Sequence, residues 1–308
     1  MRRTLKSDAD FAGVGLHGGL PVRMTVSSAP SGAGIAFLRV DVPIDQQTIP
    51  ARYDLVTDTL LCTKLTNEHG VSVGTVEHIM AALAGCGIND AMIALDGPEV
   101  PIMDGSSAEF VEGLMKVGIV HQHGTLDAIR ILRPVVVEDG DKRAALMPAD
   151  QMEMDFRIAF DDAAIGHQEH SVTLMNGAFV SELSDCRTFG HLKEVEQLRS
   201  MGLARGGGLH NAIVVDSGRV LNPEGLRRPD EFVRHKMLDA VGDLALAGAP
   251  ILGRYEGEKA GHGMTNQLLR ALFDQPDAWE WDILSDDLML GGGSLTAGHS
   301  AGVTALAI

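Results

Sequence analysis

Cysteine is scarce: Cys62, Cys86 and Cys186 are the only three in 308 residues, and no two are close in sequence. An odd, scattered set without a CxxC pair excludes a disulfide framework and a cysteine-built zinc cage, and it fits a reducing, cytoplasmic setting. Basic residues are also short, 25 Lys and Arg against 42 Asp and Glu, a net charge of −17 with no Lys/Arg-rich run. A nucleic-acid backbone would be repelled over most of such a surface, although a small anionic ligand needs only a few well-placed lysines. No apolar run reaches the roughly 18–20 residues of a membrane span. The basic N-terminal tip is followed by no apolar stretch, so no signal peptide is expected. HExxH, GxSxG, a Walker loop and a GxGxxG after a strand are all missing.

What is abundant is punctuation. With 36 Gly and 12 Pro, elements should be short, while the length and 45% hydrophobic content suffice for a sizeable core. Apolar or alternating runs at 22–26, 35–40, 60–65, 131–137 and 153–160 read as strands. Thr75 is placed to cap a helix running to residue 84, and Ser106 or Ser107 a second one carrying Phe110, Val111 and Leu114. The polar stretch 121–130 reads as a boundary. Beyond it comes a long helix from about 231 to 247 behind Asp230, a strand near 251–254 and a last helix around 264–273. LAGCGI at 83–88 and LAGAPI at 246–251 each close a helix ahead of a strand and a second helix, a weak internal repeat. The expected fold is therefore α+β, two similar domains each layering helices on β-sheet with the site between them. Their expected extents are 1–125 and 126–290, with an insertion at about 190–220 and a flexible Gly-rich tail at 291–308. Leu192, Val195, Leu198 and Met201 give the insertion an amphipathic helix.

The clearest chemical signal lies on the long helix. His235 and Asp239 are four apart, hence about 40° around the axis and about 6 Å along it, and Asp243 stands one turn on. Imidazole and carboxylate at that spacing can share a metal ion, or they can be a solvent-facing pair. Met237, Leu238, Ala240, Val241 and Leu244 make most of this helix apolar, and a polar stripe on a buried helix needs a partner. Glu77 and His78 offer a second ligand beside a carboxylate that could take a proton from water on a metal. His262 could act as a general acid if Asp243 bonded its other ring nitrogen. The Thr188 hydroxyl could meet an oxyanion or merely cap a turn. Spacing alone cannot bring residue 78 to residue 235.

These stretches together carry a resemblance. GVGLHGG (13–19), LLCTKL (60–65), GTVEHIMAALAG (74–85), PEVPIMDGSSAEF (98–110), CRTFG (186–190), DEFVRHKMLDAVGDL (230–244) and KAGHGMTN (259–266) occur in that order. The chain resembles, to about residue 285, the zinc-dependent UDP-3-O-acyl-N-acetylglucosamine deacetylases of bacterial lipid A synthesis. The resemblance implies Zn2+ held by His78, His235 and Asp239, and Glu77 as the base. It implies Thr188 at the oxyanion and His262 at the departing nitrogen, oriented by Asp243. Lys236 and Lys259 would meet the substrate's phosphates, Phe189 would pack near the sugar, and the 190–220 insertion would form an acyl-chain passage. Two departures, LHGG without a hydroxyl residue before the last glycine and GHGMTN in place of a leucine and two asparagines, touch no implied ligand. The implied partner is an acylated UDP-sugar, met by a cytoplasmic monomer with no transmembrane segment and only transient contact with a membrane surface. A zinc amidohydrolase or peptidase on another substrate, or a metal-stabilised binding protein, are the competing readings. Structural zinc sites usually close with four protein ligands, whereas three are found here beside a base.

Overall fold

The computed structural model describes residues 1–284; the tail expected at 291–308 lies outside the described residues. Helices and sheets are layered as an α+β fold. The N-terminal sheet has five strands in the order Ala9–Val14, Pro21–Ser28, Ala91–Leu95, Ile35–Arg39, Thr48–Pro50. Ile35–Arg39 runs parallel to Ala91–Leu95 and the other pairs are antiparallel. A seven-stranded sheet is built around Ile251–Glu258, which pairs parallel with Met152–Ala159 and with Asp127–Ile131. Trp279–Ile283 forms its edge against Asp127–Ile131.

Two halves repeat one order. Helix α1 (Glu77–Gly85) precedes the parallel strand Ala91–Leu95 and helix α2 (Ala108–Val117). After the short α3 (Leu192–Ser200), helix α4 (Glu231–Ala245) likewise precedes Ile251–Glu258 and helix α5 (His262–Phe273). α1 and α4 are buried on almost every face, including Ile79, Met80, Leu83, Met237, Leu238 and Leu244. They cross so closely that a Cβ on Gly242 would lie 2.0 Å from the Glu77 carbonyl oxygen. Only a residue without a side chain allows that approach.

Several expected elements shift for physical reasons. The 131–137 run breaks into Asp127–Ile131 and Val135–Asp139, because Pro134 cannot donate to a ladder. The 60–65 run yields only Lys64–Thr66 as strand; Thr63 turns inward to the site instead. Thr75 does not cap α1. It sits at φ 56° before the helix, whose N-cap is Val76. α5 begins two residues early, with His262 as its first residue. The insertion forms a small sheet of Phe189–His191, Ile213–Asp216 and Arg219–Val220 with α3 against it. No residue of α3 is buried, and Met201 is 61% exposed, so its apolar stripe faces outward in part.

Candidate active site

α1 and α4 bring His78, His235 and Asp239 to one point, each offering a ligand atom within 4.8 Å of the others. Asp239 Oδ1 lies 3.3 Å from His235 Nε2 and 3.5 Å from His78 Nε2, and it is buried with no hydrogen-bond partner. His235 Nδ1 donates to the Cys186 carbonyl at 3.0 Å, which leaves Nε2 as the atom free to ligate. Burial pulls the His235 imidazole down to about 4 despite the nearby Asp239 carboxylate, so it is neutral, as a ligand must be, near pH 7. Burial would raise Asp239, but His235 and the Lys236 ammonium, 2.7 Å from Oδ2, hold it well below the usual carboxylate range. An orphaned carboxylate oxygen facing two imidazoles in a buried pocket fits a divalent cation.

Around this point the acid–base groups are fixed by two bonds from one residue. The Thr63 backbone N–H donates to Glu77 Oε2 at 3.0 Å, and its hydroxyl donates to Asp243 Oδ1 at 2.5 Å. Asp243 Oδ2 in turn accepts from His262 Nδ1 at 2.8 Å, which turns Nε2 toward the cavity. Burial raises the Glu77 carboxyl, outweighing the attraction of His262 and His78. Burial opposes charge on His262 as well, yet Asp243 and Glu77 push it up to about 9. Burial and a shared electrostatic neighbourhood thus shift both groups upward, the pattern of perturbed titratable groups that marks a candidate reactive site.

A cavity of about 630 Å³ opens over these groups. Glu77, His78, His235, Asp239, His262, Lys236, Thr188 and Phe189 all line it. Asp243 stands behind His262. Lys259 does not line the cavity: it is paired with Asp141 at 2.6 Å on the surface. Lys142, on the strand Lys142–Met147, lines it instead, as does Phe160, whose ring meets Phe189 at 5.7 Å. Neither was legible in the sequence, for a lysine in a strand and a phenylalanine just past the end of one carry no motif. Thr63 was likewise missed, although it lies inside LLCTKL. A second, apolar cavity of about 200 Å³ lies at the far ends of α1 and α4, lined by Met80, Ala84, Val241 and Leu244; it holds none of these groups.

Two imidazoles and a carboxylate at one point, with a second carboxylate and a further imidazole beside an open cleft, resemble the donor set that mononuclear metal hydrolases use. The family model for UDP-3-O-acyl N-acetylglycosamine deacetylase matches residues 2–274, and the chain belongs to that family. Curated relatives bear the name UDP-3-O-acyl-N-acetylglucosamine deacetylase. The one from Phenylobacterium zucineum is 52% identical over 287 residues, 93% of this chain and 98% of its own. Those from Idiomarina loihiensis and Histophilus somni are 50% and 46% identical, covering 91% and 92% of this chain and 92% and 94% of theirs.

Proposed function

We propose that this chain hydrolyses the N-acetyl group of UDP-3-O-acyl-N-acetylglucosamine, releasing acetate, with Zn2+ held by His78, His235 and Asp239. The observation that carries the reading is the partnerless Asp239 Oδ1 facing two buried imidazoles, in a chain of this family. When bound, zinc supplies a Lewis acid for the acetyl carbonyl and lowers the pKa of water. Glu77 takes a proton from the attacking water, and Thr63 keeps its Oε2 in place. The Thr188 hydroxyl, on the cavity wall, donates to the oxyanion as the carbonyl becomes tetrahedral. His262 delivers a proton from Nε2 to the sugar nitrogen as the C–N bond breaks, while Asp243 holds Nδ1 and the tautomer. The products are acetate and a free amine.

Lys142 gives the acidic protein a cation in the cleft for the diphosphate, and Lys236, already bonded to Asp239, a second that would be shared with it. Lys259 would have to leave Asp141 to join them. Phe189 packs against Phe232 at 4.9 Å and offers a rigid face to the sugar. The outward stripe of α3, at the cleft's rim through His191 and Glu194, suits an acyl chain in the 190–220 insertion. Division at about residue 125 leaves the five-stranded sheet wholly in the first domain and the seven-stranded sheet wholly in the second. No helix among the described residues is long and apolar enough to cross a membrane, and Cys62, Cys86 and Cys186 are free thiols; we place the protein in the cytoplasm as a monomer.

The test is acetate release from the acylated UDP-sugar by zinc-loaded protein, by protein stripped with a chelator, and after zinc is restored. Activity is expected in the first and third. His78→Ala, His235→Ala and Asp239→Ala should each lose zinc and most turnover while remaining folded. Full activity in the stripped sample, or stoichiometric zinc in all three variants, refutes the assignment.

A further inference from the structure

We propose that Glu99 is a positioning residue for the cleft: one buried carboxylate fastens the glycine loop at 15–18 to the residue that launches α1. It thereby sets where Glu77 and His78 stand. The inference rests on the reading of those two as base and metal ligand.

Glu99 lies in the irregular segment between the strand Ala91–Leu95 and α2, and it is buried. Its Oε1 accepts from the His17 backbone N–H at 2.8 Å and from the Thr75 hydroxyl at 3.1 Å. Its Oε2 accepts from the Gly18 N–H at 2.9 Å. Three donors converging on one buried carboxyl group are a strong and directional arrangement. The approach is close: a Cβ on Gly15 would stand 2.4 Å from Oε2, so only glycine admits the carboxylate there.

The partners belong to two walls of the site, Thr75 to one and the loop with His17 and Gly18 to the other. Thr75 has φ 56°, a region that a β-branched residue enters only when its surroundings compel it. The compulsion is visible. Gly74 N–H donates to the Pro98 carbonyl at 2.9 Å, Val100 N–H donates back to the Gly74 carbonyl at 3.0 Å, and the hydroxyl is held by Glu99. The backbone then turns directly into α1, with Glu77 two residues and His78 three residues on. On the other side, Leu16 lines the cleft, and the loop's outer edge is tied to the insertion: Arg205 N–H donates to the His17 carbonyl at 3.2 Å and Gly206 N–H to the Leu16 carbonyl at 3.0 Å. Glu99 is the polar hinge-pin between the start of α1 and the wall that meets the insertion. Nothing places it near enough to the zinc ligands to act on substrate itself; it acts through Thr75 and the loop.

The two branches separate experimentally. Thr75→Ala leaves the loop branch intact, takes away the α1 branch together with a hydroxyl on the cavity wall, and should lower kcat about tenfold with KM within about twofold, as loss of outer-shell support does. It should also weaken zinc, read by competition with a chromogenic chelator, by about tenfold. Thr75→Ser returns the hydroxyl and should restore most of both losses. Glu99→Gln keeps the volume but turns one oxygen into a donor facing a donor. It should lower kcat and zinc affinity at least as much as Thr75→Ala, and raise KM as the Leu16 wall loosens. The double variant should be no worse in kcat or zinc affinity than Glu99→Gln alone, since both cut the same link. Wild-type kcat and zinc affinity in Thr75→Ala, additive losses in the double variant, or a fall in thermal midpoint as the only change would each overturn the proposal. If Glu99→Gln does not fold, the Thr75 pair decides alone. A wild-type protein that releases no acetate defeats the proposed function, and the zinc titrations then still test the positioning role.

Discussion

Gly242 is where the geometry of the site is most exposed to a single methyl group. A Cβ there would lie 2.0 Å from the Glu77 carbonyl oxygen, 2.7 Å from its carbon and 2.9 Å from its Cα. All three are backbone atoms of a buried helix, so no side chain can swing away. Real Cβ atoms essentially never come nearer than 3.0 Å to such atoms, so Gly242→Ala must part α1 and α4 by about 1 Å in a core that does not compress. Helix propensity acts the other way, favouring alanine by about 1 kcal/mol, while overpacking costs about 1–3 kcal/mol. Stability should therefore fall by no more than about 2 kcal/mol, since part of the overpacking cost is offset. Function should suffer far more. The parting falls between the residue carrying the base, next to His78, and the helix carrying His235 and Asp239, and a misplacement of about 1 Å can cost about a hundredfold in rate. The assay is acetate release alongside zinc content and thermal unfolding. A variant that retains wild-type turnover and zinc while folding normally refutes the claim that this crossing sets the site.

Turnover against pH should be bell-shaped. Glu77 must be ionised, and burial raises its pKa above the ordinary carboxylate value of 4.5, so the acidic limb should lie above that value. His262 must be protonated and is pushed up to about 9, so activity should be lost as pH rises through that value. Glu77→Gln should keep zinc and lose about a hundredfold in turnover, and His262→Ala should flatten the basic limb; an unchanged basic limb in His262→Ala would sink the acid role. Arg187, 2% exposed, donates to Glu231, Glu224 and the Gly225 carbonyl. Arg187→Met removes the cation bonded to the buried Glu231 carboxylate, which keeps only the Arg187 and Arg227 backbone N–H groups, and should cost about 3 kcal/mol, lowering the thermal midpoint by about 10 °C; a shift within about 2 °C in a scanning experiment would contradict it.

The relation of sequence to site divides along the distance over which physics is local. His235 and Asp239 were readable as a pair because the pitch of one helix fixes their spacing, and the apolar surroundings of α4 argued that the pair was buried. His78 was readable as a candidate but could not be joined to them without the family resemblance, for nothing in local periodicity encodes that α1 crosses α4. The residue that permits the crossing, Gly242, looks in the sequence like a mere weakness in a helix. Thr63 was hidden differently. Its run of apolar neighbours suggested a strand, whereas the backbone there breaks off and spends its N–H on Glu77 and its hydroxyl on Asp243. Thr75 has the sequence position of a cap, since threonine before a helix usually is one, but its hydroxyl serves Glu99 instead. Lys259 adjoins a conspicuous motif, but a long flexible side chain goes to the nearest carboxylate it can reach, and Asp141 is that carboxylate.

The net charge of −17 stands against a substrate that bears a diphosphate, and the structure shows how both can hold. Surface charges are screened within about 8 Å at physiological ionic strength, so the bulk acidity acts on approach and hardly at all inside a cleft. Within it the balance is different: Lys236, Lys142 and a protonated His262 line the cavity. Of the carboxylates lining it, Asp239 is engaged by Lys236 and Glu77 by the Thr63 N–H, with Asp243 held behind them by His262 and Thr63, while Asp139 and Glu194 stand exposed toward solvent. The carboxylates that make the protein acidic overall thus raise the charge on the cations beside them, as Asp243 does for His262. Added salt should accordingly speed encounter with an anionic substrate by screening the surface, while weakening the cleft's own grip. A KM that first falls and then rises with ionic strength is the expected signature, and a monotonic rise from the lowest salt would show that the surface charge never opposed the substrate.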